Sequence, residues 1–442
     1  MTNIKYLGLP TLVGLVIANM IGAGVFTSSG YSLDALGNPD RVMLAWGLCG
    51  VWAICGAVAY GGLVSRLPMS GGEYLFLSRF VHPSVGFLAG WISVIAGFTA
   101  PIALAAQGAA VYVTPMLKLD DPPLAAIAAA IIVAAAACHL VGVSIGTGTQ
   151  NAIVAAKLAL LMIIIVWAMA FTSNDVWQGG ALAGKSSRML PDSLGAWRDL
   201  AGSMSWVALS YTGFNAAVYV AEEARDAERN VPRSMLVGTL LVTIIYLLLN
   251  YVFVYAPAAE SIARVKDVAA VASLAVGGTK LELLVRATIV LAMISSVFAM
   301  LLAGPRVYQK MADDGVMPAL FRGSPNRAIV AQAVLSLVAV FSADLLSLMQ
   351  YLGLTLSACG GLAVLSLWWV RLSLPDAAPL RWWETAAMAI YLSITLCILA
   401  ACWLTQRTAF YAMLATFVLG AIVYVAGLWW DNSKRAGLST NN

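Results

Sequence analysis

The chain has 442 residues, of which 61% are hydrophobic and only 10% are charged, with a net charge of +4. Soluble domains carry about 25% charged residues, so the composition excludes an ordinary soluble core, and the small, dispersed positive charge excludes a nucleic-acid-binding patch. The charges collect between long apolar runs, as a bilayer imposes, and this marks an all-α integral membrane protein.

A span needs about 20 apolar residues. Twelve runs meet this, at roughly 8–36, 41–64, 84–114, 122–142, 149–171, 200–221, 232–257, 280–303, 328–343, 345–370, 382–404 and 408–430. The first and third are too long for a plain span, which predicts a break or a strong tilt in each. Asp344 divides the run from 328 to 370 and predicts a tight turn between two helices. With the N-terminus inside, inner segments hold 14 of the 25 Lys and Arg residues, which predicts that both termini are cytoplasmic. Residues 431–442 read as a polar, unstructured tail. Residues 172–199 and 258–286 are the two longest outer connections. No small-residue cleavage site ends a short apolar region, so a cleaved signal peptide is not expected. One membrane domain over 1–430 and a tail make up the expected organisation.

Six cysteines, Cys49, Cys55, Cys138, Cys359, Cys397 and Cys402, lie in apolar stretches without ligand spacing and read as buried small hydrophobes. His82 and His139 are the two histidines. No metal and no cofactor are expected.

Two spans carry a weak point. The first contains "NMIGAGVF" (19–26), with Gly22 and Gly24 in an apolar run, although glycine costs about 1 kcal/mol inside a helix. Close packing of helices explains such a pair equally well. The sixth run holds a second weak point, Ser210-Tyr211-Thr212-Gly213-Phe214-Asn215. The two occupy the same place in successive sets of five spans, and interrupted spans at matching positions of two halves point to a transporter site. An unwound helix frees backbone groups that lipid cannot satisfy. The half-helix after a break offers N–H groups to a carboxylate, and the one before it offers carbonyls to an ammonium. Together they make a receptor for an α-amino acid without any charged side chain.

Lys157, in "NAIVAAKLALLMIIIVWAM" (151–169), needs partners or must lose its proton at that depth. Either it snorkels to an interface, or it packs against the first break and the eighth span, where Ser295 and Ser296 are candidate partners. Glu222, Glu223, Arg225, Asp226, Arg229 and Arg233 crowd the inner end of span six, as a solvated face or as an inner gate. Gln107 either lines the cavity or bonds a neighbouring helix. "MSGGEY" (69–74) reads as a turn into a surface helix whose glycines serve backbone shape. Trp382 and Trp383 beside Arg381, and Trp429 with Trp430, read as interfacial anchors.

Four motifs in order, "IGAGVF" (21–26), "LPMSGGEY" (67–74), "AEEARDAERNVPRSM" (221–235) and "GPRVYQKMADDGVMPALF" (304–321), resemble the amino acid–polyamine–organocation (APC) superfamily over residues 8–430. "YTGFN" before "AEE" is most similar to its L-type amino acid transporter branch and bacterial relatives. The resemblance implies twelve transmembrane helices in a LeuT/APC-like 5+5 inverted repeat, with broken helices 1 and 6 and with helices 11 and 12 added. The repeats would cover about 8–171 and 200–370, and the added helices 382–430. It implies a substrate carboxylate on the N–H groups of Gly22, Ala23 and Gly24, and an ammonium on the carbonyls of Ile21, Leu209, Ser210 and Thr212. Tyr211 and Gly213 belong to the same break, and Asn215 would help order it. Lys157 would take the place of a sodium ion. In the L-type branch an aromatic lid stands where this chain has Leu209; Trp206 and Phe214 are the candidates to replace it. The loop "TPMLKLDDP" (114–122) lacks the cysteine that joins mammalian members to a glycoprotein, so no covalent heavy-chain subunit is expected. The expected function is sodium-independent transport of neutral L-amino acids by alternating access, by exchange or by proton coupling, in a plasma membrane, that of bacteria by the same resemblance. The alternatives are a carrier of cationic amino acids or amines, and a non-transporting sensor of the same fold. An enzyme is not expected, since no catalytic cluster accompanies Lys157 within the spans. The expected partners are the amino acid, the bilayer and, in the coupled case, protons.

Overall fold

The computed structural model describes residues 7–117, 123–142, 147–313, 319–373 and 377–439, with side chains outside 147–151, 310, 319, 371 and 428–439. In chain order the α-helices are α1 (Leu9–Met20), α2 (Ala23–Leu36), α3 (Pro39–Val64), α4 (Gly72–Phe80), α5 (Pro83–Ile92), α6 (Ala100–Leu117), α7 (Leu124–Leu140), α8 (Thr147–Phe171), α9 (Leu194–Tyr211), α10 (Ala227–Tyr255), α11 (Ala259–Ile262), α12 (Val268–Asp313), α13 (Pro325–Ser342), α14 (Leu345–Ser366), α15 (Val370–Ser373), α16 (Trp382–Thr405) and α17 (Arg407–Ser439). Among the described residues, nine helical segments are long and apolar enough to cross a membrane, α1 and α2 form one further bent pair at 44°, and α7 is a shorter apolar helix. The protein is a multi-pass membrane protein.

Local sequence sets the helix ends. Proline, which has no N–H to leave unpaired, opens α3, α5 and α13. Side-chain oxygens cap first turns: Asn38 accepts from the Asp40 N–H at 2.8 Å, Ser193 from Ala196 at 3.2 Å and Asp344 from Ser347 at 2.9 Å. The Asp344 cap makes the turn between α13 and α14 that the sequence predicts. The long third run is continuous from Pro83 to Leu117 but contains a π-helical stretch, Ser93–Thr99, whose Thr99 hydroxyl donates to the Val94 carbonyl.

Three expectations are corrected. The connection 258–286 is not a loop throughout, because α12 begins at Val268, bends at Gly278 (φ +68°) and continues through the predicted span to Asp313. Its first turns are apolar and buried at Val268, Ala269, Ala270 and Ala272, and Arg286 pairs with Asp267 at 2.7 Å and Glu282 at 2.8 Å. The tail is helical through Ser439, since it holds no proline and α17 continues past Asn432 and Gly437; residues 440–442 lie outside the described residues. Not every cysteine is buried, because Cys397 faces outward on α16 and Cys138 is half-buried. Gln107 resolves to helix bonding: its amide donates to the Val340 and Ala343 carbonyls. Trp382 is exposed beside Trp383, over which Arg381 stacks, while the Trp429 and Trp430 side chains lie outside the described set. Part of the loop expected to lack a partner cysteine, residues 118–122, also lies outside the described residues.

The core is continuous. α3 packs along α10, α6 along α12, α2 along α9 and α8 along α12. One ion pair ties α3 to α16: Arg66 and Glu384 bond in bidentate fashion at 3.0 and 2.8 Å, with side chains only 4% and 8% exposed. Arg66 also donates to the Ala378 and Pro379 carbonyls. Removing one partner strands a buried charge, at a cost of about 3–5 kcal/mol. Glu384→Ala is therefore expected to lower thermal stability in detergent markedly; an unchanged melting temperature would show that the pair carries no stability.

Candidate functional site

Both weak points are real breaks, and they meet. α1 ends at Met20, Ile21 and Gly22 are extended, and α2 restarts at Ala23 with no side-chain cap on its first N–H groups. α9 ends at Tyr211, Thr212 is extended, Gly213 adopts φ +99°, and a 3-10 turn runs from Ala216 to Glu223. Glycine is required where the two approach. A Cβ on Gly24 would lie 2.4 Å from the Ser210 hydroxyl and 3.2 Å from its Cα, and one on Gly213 would lie 3.1 Å from the Asn19 carbonyl. Beside Gly22 an added Cβ meets nothing within 4 Å, so open space adjoins the uncapped start of α2. Gly22, Ala23, Thr212 and Gly213 are half-buried. The Ser210 hydroxyl is buried against this start and has no hydrogen-bond partner.

The carbonyls freed by the breaks are served partly by side chains. Lys157 does not snorkel; it is 7% exposed, and its Nζ donates to the Ile21 carbonyl. Tyr246 of α10 points its hydroxyl at two carbonyls, Met20 at 2.7 Å and Ser210 at 2.9 Å, one from each break. The Thr212 hydroxyl turns back to the Leu209 carbonyl at 2.6 Å. Of the two serines expected near Lys157, Ser296 bonds the Ala292 carbonyl of its own helix at 2.9 Å, while Ser295 is buried.

These features coincide with a family pattern. The profile described as "Amino acid permease" matches residues 7–429. The chain belongs to the amino acid permease family. This permease is similar to the human large neutral amino acids transporter small subunit 2, at 25% identity over 443 aligned positions that cover 98% of this chain and 82% of that protein. The rat protein of the same name matches over the same shares. The human b(0,+)-type amino acid transporter 1 is 28% identical over 255 positions, covering 56% of this chain and 50% of that protein. The APC resemblance and its L-type branch therefore stand, and the permease is an amino acid transporter rather than an enzyme.

Other predicted site residues are placed differently from one another. Tyr211 sends its side chain away from the break; its hydroxyl donates to the Trp46 carbonyl at 2.9 Å and its ring packs on Trp46 and Tyr246. Trp206 is buried and donates to Ser32 at 2.9 Å. Ser32 lies eight residues past Gly24, or about 12 Å along α2, so Trp206 is not a lid directly on the break. Phe214 lies just past the second break, in an aromatic cluster with Tyr60 at 5.4 Å and Trp52 at 6.1 Å. Asn215 stands at the end of its break, where its amide donates to the Glu73 carboxylate at 2.5 Å.

Two residues that sequence reasoning did not single out bond to the segments around the breaks, Tyr246 and Glu73. Tyr246 sits in a plainly apolar span and gives no pattern signal. Glu73, within "MSGGEY", could have been found as a carboxylate close to a span end. Tyr246→Phe removes the hydroxyl that serves both breaks and leaves a buried carbonyl short of a donor, at about 1–3 kcal/mol. The expected result is a lower melting temperature together with weaker amino acid binding; a loss of stability alone would mean that Tyr246 only packs.

Proposed function

We propose that this permease carries neutral L-amino acids without sodium, by alternating access around the paired breaks. The observation that carries this reading is the contact of Gly24 with Ser210, which sets the uncapped start of α2 against the end of α9. The N–H groups of Gly22, Ala23 and Gly24 would hold the carboxylate, by the partial positive charge of a helix start. Carbonyls of Ile21, Leu209, Ser210 and Thr212 would hold the ammonium, and the unpartnered Ser210 hydroxyl adds a donor or acceptor beside them. Tyr211 and Gly213 contribute backbone to the same break. No carboxylate lies in either break to select a cationic side chain, and the relatives named as large neutral amino acids transporters lend the same support.

In this reading the spans number twelve in a 5+5 inverted repeat, over about 8–171 and 200–370, with two added helices over 382–430. Both termini are cytoplasmic and the membrane is the plasma membrane. The relatives named as a small subunit raise the question of a partner; without a cysteine in 114–122, a covalent heavy chain is not part of the proposal. Lys157 would brace the first break in place of sodium, with Ser295 of α12 as its candidate partner. Two coupling modes fit that placement. Exchange needs the ammonium to stay charged, whereas proton coupling needs it to release and regain a proton.

Gly24→Leu is expected to abolish amino acid binding in a thermal-shift panel of the twenty amino acids while the protein remains folded; retained binding overturns the site. Lys157→Ala is expected to reach the membrane and lose uptake in proteoliposomes, and normal uptake removes Lys157 from the mechanism. Counterflow of labelled substrate separates a transporter from a sensor, and uptake driven by an imposed proton gradient selects proton coupling over exchange.

A further inference from the structure

The inner half of the sixth span is not packed down by apolar side chains alone. It is pinned at several polar points to neighbouring segments. Glu73, the second residue of α4, is 9% exposed and accepts three hydrogen bonds. Tyr60 of α3 donates at 2.8 Å, Asn215 at 2.5 Å and Tyr219 at 2.5 Å. Asn215 and Tyr219 flank the start of the 3-10 segment that follows the second break. The Ser70 hydroxyl accepts from the Glu222 N–H at 3.1 Å, and Leu7 exchanges backbone bonds with Glu223 at 3.1 Å and Arg225 at 3.0 Å. Among these fasteners Glu73 is the one carboxylate, and it holds both Asn215, just before the 3-10 turn, and Tyr219, within it. The glycine before it serves the same contact: Gly72 has φ +57°, and a Cβ there would lie 2.5 Å from the Tyr219 ring.

We propose that Glu73 is the positioning residue that latches the inner half of the sixth span, so that the substrate site opens toward the N-terminal side only when its carboxylate releases Asn215 and Tyr219. The chemistry favours this over a purely structural anchor. Hydrogen bonds to a carboxylate are stronger than neutral ones, yet all three donors here are neutral, so the latch can open without separating an ion pair. Tyr219 is itself 46% exposed, and water can take over its hydroxyl once it swings away. The proposal rests on the reading that the break at 210–215 bounds the substrate site.

Cys359 provides a native reporter. It is 5% exposed on α14, next to Gly360, which faces the Tyr391 and Tyr60 hydroxyls within 2.6 and 3.7 Å of an added Cβ. In protein whose other five cysteines are replaced by serine or alanine, a charged, membrane-impermeant thiol reagent is applied to inside-out vesicles without substrate. Glu73→Gln keeps the shape but turns an N–H group toward the donors. It is expected to raise the labelling rate of Cys359 about tenfold or more, the shift expected when a hydrogen bond to a charged group is lost. Tyr219→Phe should raise it less, and Glu222→Gln, which lends only its backbone, should leave it unchanged. Unchanged labelling in folded Tyr219→Phe and Glu73→Gln proteins overturns the latch, as does an equal rise with Glu222→Gln; if Glu73→Gln does not fold, Tyr219→Phe alone decides. Binding of labelled L-leucine, measured separately, reports on the site: lost labelling control with intact binding, or the reverse, separates failure of the latch from failure of the substrate reading.

Discussion

Every backbone N–H and C=O within lipid must find a partner inside the protein. Most of the described chain meets that constraint with continuous helices, and the fold is arranged around two breaks where the backbone leaves the helical ladder deep in the protein. Ile21–Gly22 and Thr212–Gly213 leave the helical ladder in the middle of the protein. Each break is tolerable only because the other stands beside it. Gly24 admits Ser210, Gly213 admits Asn19, and α8 and α10 send Lys157 and Tyr246 to the carbonyls left over.

This arrangement assigns roles to residues that look alike in composition. Lys157 and Arg286 are both cations in apolar helices, but Arg286 is neutralised by two carboxylates at the edge of α12, while Lys157 meets a carbonyl at a break. Tyr211 and Tyr246 pack ring against ring, yet one hydroxyl ends in the core at Trp46 and the other at the breaks. Position relative to the unwound backbone, not residue type, separates the structural members from those at the site.

Much of this was legible in the sequence, because lipid imposes a strong pattern. The apolar runs, the turn at Asp344 and the two glycine-bearing interruptions follow from hydropathy and glycine placement, and the pairing of the interruptions follows from their matching positions. What the sequence left open were matters of direction. Gln107 could line a space or bond a helix, and only packing against α13 decided it. Trp206 was one turn from the break, but its ring points along α2 to Ser32. The apolar turns from Val268 were hidden because charged residues at Asp267, Lys280, Glu282 and Arg286 mimic a loop, when two of those acids in fact neutralise the arginine. Tyr246 and Glu73 were missed for a related reason: a single polar atom on an otherwise ordinary helix carries no periodic signal, and its importance comes from the backbone it happens to face.

A phenol has one proton, and the Tyr246 hydroxyl stands within reach of two carbonyls. At any moment it serves one and leaves the other waiting. One donor is therefore shared between carbonyls from the two halves of the chain. An ammonium brings three N–H donors on one tetrahedral centre. A guest of that kind would do more than fill space: it would end a competition between two strands of backbone, and so make the state of one half felt by the other.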